Sequence, residues 1–164
     1  MKKLILLLIT SLTIISCSET KEIKRIAWTS SSEDAKVLFE EFLTNLENRN
    51  WDPKVQEALF DSIVKLDPDF YVPKLFNNFK DIDERRDLVR LSYENRDKVS
   101  DLESRYIESN YERRINGSII VEDQILDSLI SDYPEYYQLR VWSGDVKNGI
   151  DAKASEKRWM EAME

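Results

Sequence analysis

Two stretches of this chain, 66 residues apart, carry the same pattern, and this internal repeat constrains the fold more than any other feature of the sequence. Residues 59–64 (LFDSIV) and 68–71 (PDFY) recur without a gap as residues 125–130 (ILDSLI) and 134–137 (PEYY). The offset is about twice the 34-residue period of arrays built from helical pairs. The sequence therefore predicts that one helical unit occurs at least twice.

Apolar residues recur at helical spacing on both sides of this repeat. Between Ser32 and Asn48 they stand three or four positions apart, and the same pattern follows Pro53. Helix starts are indicated by Ser30 to Ser32, Asp52-Pro53, Asp67-Pro68, Ser100 with Glu103, Ser118, Pro134 and Asp151. The helix at Asp67-Pro68 is expected to bury Val72, Leu75, Phe76 and Phe79. Asn116-Gly117 indicates a left-handed helix end, and β structure has little support.

The repeated residues resemble the tetratricopeptide repeat (TPR). The run Leu66-Asp67-Pro68-Asp69-Phe70 is similar to its repeat junction, and other positions of its second helix are matched by Phe60, Leu126, Trp159 and Ala162. Ile63, Leu129 and Phe76 depart from the motif, which expects small residues there. The resemblance implies an all-α fold in which antiparallel helix-turn-helix repeats stack as a short TPR-like superhelix over residues 31–164, preceded by a signal-peptide helix.

The beginning of the chain is typical of an exported lipoprotein. Lys2 and Lys3 precede an apolar run over residues 4–15, and residues 14–17 (IISC) resemble a lipobox. The run is shorter than the roughly 20 residues of a membrane span. The resemblance implies cleavage between Ser16 and Cys17 and acylation of Cys17. The expected organisation is a signal peptide over 1–16, a lipidated cysteine with a polar tether over 17–30, and the repeat domain over 31–164.

Taken together, these features resemble repeat-containing lipoproteins of Bacteroidetes-like bacteria. Because Ser18 rather than Asp follows the cysteine, the family sorting rule implies the outer membrane, with the domain facing the periplasm or the cell surface. Palmitate is the kind of acyl chain that such an anchor implies.

Composition argues against several classes of function. The chain has no histidine, so it cannot form a Ser-His-Asp triad or a histidine metal site, and its three glycines cannot build a phosphate-binding loop. The formal net charge of −8 disfavours nucleic acid, and the basic pairs Lys24-Arg25, Arg85-Arg86 and Arg113-Arg114 are interpreted as solvated helix surface. Asp81 to Glu84 fits an acidic helix start better than a calcium loop. We expect a non-enzyme without metal, nucleotide or other cofactor.

The expected function is that of a membrane-anchored, non-catalytic scaffold for an envelope protein or peptide. In the TPR-like register the concave face would carry Phe70, Lys74, Asn77, Tyr136, Arg140 and Lys147. Such a groove would suit an acidic peptide or a C-terminal carboxylate. The alternative for these cations is ordinary solvated helix surface.

Two other functions remain open from the sequence. A glycan-binding accessory lipoprotein could stack sugars on Trp28, Trp51, Trp142 and Trp159, although aromatic residues at helical spacing usually belong to a core. A glycosidase would need two carboxylates about 5–10 Å apart in a cleft, and no acidic pair in the sequence is marked as buried.

Overall fold

The computed structural model of the protein describes residues 24–50 and 52–163. The predicted leader, the cleavage site between Ser16 and Cys17, and Trp51 lie outside these residues. The prediction of an all-α fold is confirmed, since the only β pairing in the described residues is an isolated bridge between Lys24 and Tyr136. The elements are α1 (Glu33–Glu47), α2 (Pro53–Leu66), a 3₁₀ helix (Val72–Phe76), α3 (Ile82–Glu94), a 3₁₀ turn (Arg96–Lys98), α4 (Asp101–Arg114), α5 (Ile119–Asp132), α6 (Tyr137–Asn148) and α7 (Ala152–Met163).

Local side-chain chemistry determines where these helices begin. The predicted N-caps are confirmed, because each side chain accepts a hydrogen bond from a backbone N–H in the first turn of its helix: Ser32, Asp52, Asp81, Ser100 and Ser118. Such caps contribute about 1 kcal/mol each. Gly117 has φ +73° at the end of α4, which confirms the predicted left-handed position.

The helix predicted to begin at Asp67-Pro68 is wrong in extent. Only the five residues Val72–Phe76 form a 3₁₀ helix, although Val72 and Leu75 are buried as expected. Pro73 has no N–H to donate, and the side-chain amide of Asn77 donates to the carbonyl of Lys74 at 2.5 Å, where a continuing helix would place a backbone donor. The chain therefore turns, and a new helix begins at Ile82.

The sequence repeat corresponds to a repeated structural element. Moving α2 by 66 residues gives the bounds of α5, and the paired positions Phe60 with Leu126 and Ile63 with Leu129 are all buried. Each helix packs chiefly on its neighbours in the chain: α1 on α2, then α3 on α4, α4 on α5, α5 on α6 and α6 on α7. This nearest-neighbour pattern is typical of helical stacks.

An aromatic cluster fills the centre of the stack. Trp142 of α6 stacks on Tyr106 of α4 with ring centroids 4.3 Å apart, and both rings contact Phe76. Phe76 also meets Phe39 of α1 at 5.7 Å. Aromatic pairs of this kind contribute about 0.5–1.5 kcal/mol beyond their buried area. The cluster therefore joins α1, the 3₁₀ helix, α4 and α6.

Residues 24–32, which we call the clasp segment, pack against this cluster. Ile26 and Trp28 are 4% and 5% exposed, and the Trp28 ring lies 5.2 Å from Phe39 and 6.3 Å from Trp142. The Trp28 indole N–H donates to Glu40 at 2.7 Å. Residues 24–30, which the sequence places in the polar tether over 17–30, belong to the folded domain.

Two buried carboxylates hold the clasp segment. Asp67, at the end of α2, accepts hydrogen bonds from the Ser30 hydroxyl at 2.6 Å and the Ser31 backbone N–H at 2.8 Å. Glu103 in α4 accepts from the backbone N–H of Thr29 at 2.8 Å, from the Thr29 hydroxyl, and from the Ser100 hydroxyl at 2.6 Å. Because these donors replace water, both charges can remain inside the fold.

We expect Asp67→Asn to lower the free energy of unfolding by about 2 kcal/mol, since an amide replaces a charged acceptor and presents N–H groups to donors. Asp61→Asn on the exposed side of α2 is the matched control and should change it by no more than about 0.5 kcal/mol. Urea unfolding followed by tryptophan fluorescence measures both values. Equal losses in the two variants would show that Asp67 does not hold the clasp segment.

Helices α6 and α7 approach closely at Gly144. A Cβ placed there would overlap the five-membered ring of Trp159, closer than van der Waals contact allows. The Ser155 hydroxyl donates to the Gly144 carbonyl at 2.8 Å, which fixes the same approach. Trp159 itself is 39% exposed, so its side chain covers Gly144 and also meets solvent.

Gly144→Ala is expected to destabilise the protein by about 1–2 kcal/mol. Overpacking against Trp159 costs about 1–3 kcal/mol, and the higher helix propensity of alanine offsets up to about 1 kcal/mol of this cost. In a protein that already carries Trp159→Ala, the overlap is absent and only the gain in helix propensity remains. Gly144→Ala should therefore stabilise that variant. A double-mutant cycle by urea unfolding measures the coupling. An unchanged sign would rule out the Gly144 to Trp159 contact.

Candidate functional site

Two of the residues predicted for the concave face lie inside the protein. Lys74 is 2% exposed, and its ammonium donates to the carbonyls of Pro68 at 2.6 Å and Phe70 at 2.9 Å. Burial lowers the pKa of Lys74 to about 8, against the attraction of Asp67 and Asp69. Asn77 is fully buried. Both side chains therefore stabilise the turn after α2 and do not face a ligand groove.

Arg140 repeats the contact of Lys74 one sequence repeat later. Its guanidinium donates to the carbonyl of Pro134 at 2.7 Å, and Arg140 stands six residues after Pro134 just as Lys74 stands six after Pro68. In both copies a cation thus binds the carbonyl of the proline that ends the preceding turn. This shared contact explains the basic residue at this position without any partner.

Of the three remaining predicted residues, Phe70 is fully buried, and Lys147 and Tyr136 make internal contacts. The ammonium of Lys147 donates to Asp123 at 2.6 Å and to Asp127 at 3.2 Å, which joins α6 to α5. Tyr136 pairs with Lys24 through the isolated bridge, and the Lys24 ammonium lies 5.0 Å from its ring centroid. The structure does not align these side chains along an open groove, because the clasp segment and the aromatic cluster occupy the centre of the stack.

The tryptophans considered for sugar stacking do not share a surface. Trp28 is buried and Trp142 is half-buried in the aromatic cluster, whereas Trp159 covers Gly144 at the last helix. Trp51 lies outside the described residues. The described tryptophans therefore act mainly in packing.

Helices α3 and α4 bring two basic pairs together that sequence analysis treated as separate. Arg85 and Arg86 stand near the start of α3, and Arg113 and Arg114 stand at the end of α4. A surface pocket of about 110 Å³ is lined by Ile82, Arg85, Arg86 and Arg114. We call these three arginines and Ile82 the arginine pocket.

The charges of the arginine pocket lack acidic partners. Across residues 24–50 and 52–163, no carboxylate oxygen lies within 4.0 Å of the side-chain nitrogens of Arg85, Arg86 or Arg114. Arg114 donates to the carbonyl of Leu75, and Arg85 donates to the Asn78 amide oxygen at 3.1 Å. Burial lowers the pKa of Arg114, and the charges of Arg85 and Arg113 lower it further.

Glu122 of α5 lies behind this cluster and is 4% exposed. Its nearest cation is Arg113, at 3.5 Å, and one of its carboxylate oxygens is buried without a hydrogen bond. Burial raises the pKa of Glu122 to about 7, although Arg113 and Arg114 oppose the shift. The proton on this carboxyl group is therefore held more tightly in the folded state than in the unfolded chain.

A second surface pocket, of about 160 Å³, lies beside the clasp segment. Its lining includes Asp101 and Tyr133, whose hydroxyl donates to the Asp101 carboxylate at 2.9 Å. Because this contact already satisfies both polar groups, the pocket offers a ligand less than the arginine pocket does.

Comparisons with family models, curated proteins and solved structures give no match to the chain. Within residues 24–50 and 52–163, no group of three or more Cys, Asp or Glu side chains is placed to hold a metal ion. In the same residues, no helix combines the length and apolar character needed to cross a bilayer.

Glu122→Gln should remove a pH dependence of stability. A carboxyl group whose folded pKa exceeds its ordinary value of 4.5 favours the folded state at low pH, and this contribution is lost as the pH rises from about 4.5 through about 7. The variant should match the wild type near pH 4.5 and exceed it by about 1–2 kcal/mol at pH 8, after allowance for partial solvent access. Urea unfolding at several pH values measures the difference. Glu108→Gln on α4 is the control, and a similar pH-dependent gain in that variant would contradict the assignment.

Proposed function

We propose that this protein is a membrane-anchored lipoprotein that acts as a non-catalytic scaffold for an envelope protein or peptide. The proposal combines the lipobox-like residues 14–17 with repeated residues that resemble the TPR, a combination that resembles repeat-containing lipoproteins of Bacteroidetes-like bacteria. Cys17 would carry the acyl chains, and outer-membrane sorting follows from Ser18. More than one chain would make the attachment stable.

The observation that carries the proposal is the position of the clasp segment. Six residues separate Cys17 from Lys24, where the described fold begins. Extended chain covers at most about 3.5 Å per residue, so Lys24 would lie no more than about 25 Å from the acylated residue. Since the clasp segment is bound to α2 and α4 through Asp67 and Glu103, the anchor would hold the whole helical stack close to the lipid surface.

The distribution of polar groups over the protein is compatible with a scaffold. The centre of the stack is filled by aromatic side chains, so a partner would bind an outer helical surface and not a central hollow. The arginine pocket on α3 and α4 is a surface where three guanidinium groups have no carboxylate of the described residues within 4.0 Å. On a chain with a formal net charge of −8, this basic site favours an acidic group on the partner.

Cys17→Ser should abolish the incorporation of labelled palmitate and move the protein out of the carbonate-washed membrane fraction. Ser18→Ala is the matched control and should keep both properties. In cells, chemical cross-linking should give discrete adducts of the anchored protein that are lost with Cys17→Ser, because the scaffold then leaves its partner's membrane. Continued palmitate labelling of the serine variant would disprove the anchor, and the lack of any discrete adduct with the wild type would disprove the scaffold.

A further inference from the structure

The arginine pocket places three guanidinium groups around one small space. Arg85 and Arg86 are adjacent on α3, Arg114 reaches the pocket from α4, and the aliphatic side chain of Ile82 forms the remaining wall. The volume of about 110 Å³ is sufficient for one compact polar group. The three arginines supply the polar part of the lining, and the rest of the lining is apolar.

Most of these donors have no acceptor inside the protein. A guanidinium has five N–H groups, and in the described residues the only side-chain hydrogen bonds of these arginines are Arg114 to Leu75 and Arg85 to Asn78. The Nε atom of Arg85 is buried and has no hydrogen-bond partner. That atom is covered by the protein, so a ligand in the pocket would be bound by the accessible N–H groups of the three arginines.

The acidic residues beside the pocket do not neutralise it. Asp81 accepts hydrogen bonds from the backbone N–H groups of Asp83 and Glu84 as the N-cap of α3. Glu84 lies 4.0 Å from the ammonium of Lys80. Glu122 lies close enough to attract Arg114, but its ion-pair partner is Arg113, at 3.5 Å, so no carboxylate in the described residues is paired directly with Arg85, Arg86 or Arg114.

We propose that the arginine pocket binds a phosphoryl group. A phosphate monoester carries a charge of about −1.5 to −2 and three acceptor oxygens at neutral pH, which matches three converging guanidinium groups. A carboxylate has one charge and two oxygens, and a single arginine fork satisfies it. The phosphoryl group could come from a soluble metabolite or from a lipid headgroup, and both sources share the same recognition chemistry. This inference goes beyond the proposed scaffold and does not require the acyl anchor.

The test measures the binding of inorganic phosphate to the full chain in neutral detergent micelles, by calorimetry at constant ionic strength. Arg86→Gln is the main variant, because Arg86 is exposed and its loss leaves the internal contacts of Arg114 and Arg85 intact. Removal of the charged N–H donors of Arg86 should weaken phosphate binding about tenfold. Arg90→Gln, on the same helix but paired with Asp87, is the matched control and should stay within about twofold of the wild type.

A second variant distinguishes the geometry of the guanidinium group from its positive charge. Arg85→Lys keeps the positive charge but removes the fork and the unpaired Nε, so it should also weaken phosphate binding, by about threefold or more. Sodium acetate at the same ionic strength should not compete. Equal loss in Arg86→Gln and Arg90→Gln, competition by acetate as strong as by phosphate, or the lack of saturable binding would each overturn the proposal.

The source of the phosphoryl group is resolved by comparing glycerol 3-phosphate with dihexanoyl phosphatidic acid. Tighter binding of the lipid that depends on Arg86 would identify a headgroup, and equal binding of the two would identify a soluble phosphate ester. Both results support the pocket. Failure of phosphate binding while Cys17-dependent palmitate labelling persists would remove this inference alone and leave the proposed function standing.

Discussion

The fold depends on two buried carboxylates that lie on different helical elements and bind the same segment of the chain. Asp67 follows α2 and Glu103 lies in α4, and together they bind residues 29–31 of the clasp segment. Their hydrogen bonds determine the position of Trp28, which contacts Phe39 on one side and Trp142 on the other. A buried charge without such donors would cost several kcal/mol. The same contacts therefore satisfy the two carboxylates and join α2 to α4 through the clasp segment.

The protein's own side chains fill the centre of the helical stack. This determines which surfaces can bind a partner. Helical arrays commonly use a concave face, but here the centre holds Trp28 and the aromatic cluster. Of the cations expected on that face, Lys74 and Arg140 bind backbone carbonyls at equivalent positions of the repeat, and Lys147 binds Asp123 and Asp127. The repeated cation is therefore a feature of the turn after each proline. The side chains that could bind a partner lie instead on the outer surface, where α3 meets α4.

Much of this fold was predictable from the sequence because caps and apolar spacing are local. The helix starts at Ser32, Asp52 and Ser100 and the equivalence of α2 with α5 needed no tertiary information. The clasp segment was missed because an extended, serine-rich stretch has no helical period, and its burial depends on distant carboxylates. The arginine pocket was missed because it needs the register of two antiparallel helices, which brings the start of α3 beside the end of α4. Paired arginines at those two ends were the available signal.

The charge of the whole protein and the charge of the arginine pocket act on an anion over different distances. A formal net charge of −8 repels anions at long range, but at physiological ionic strength this field decays over about 8 Å. The guanidinium groups would contact a bound phosphoryl group directly, where screening is weak. Added salt would therefore weaken the repulsion from the acidic surface as well as the attraction of the pocket. This balance separates the pocket from a basic nucleic-acid surface, whose affinity falls steeply with salt.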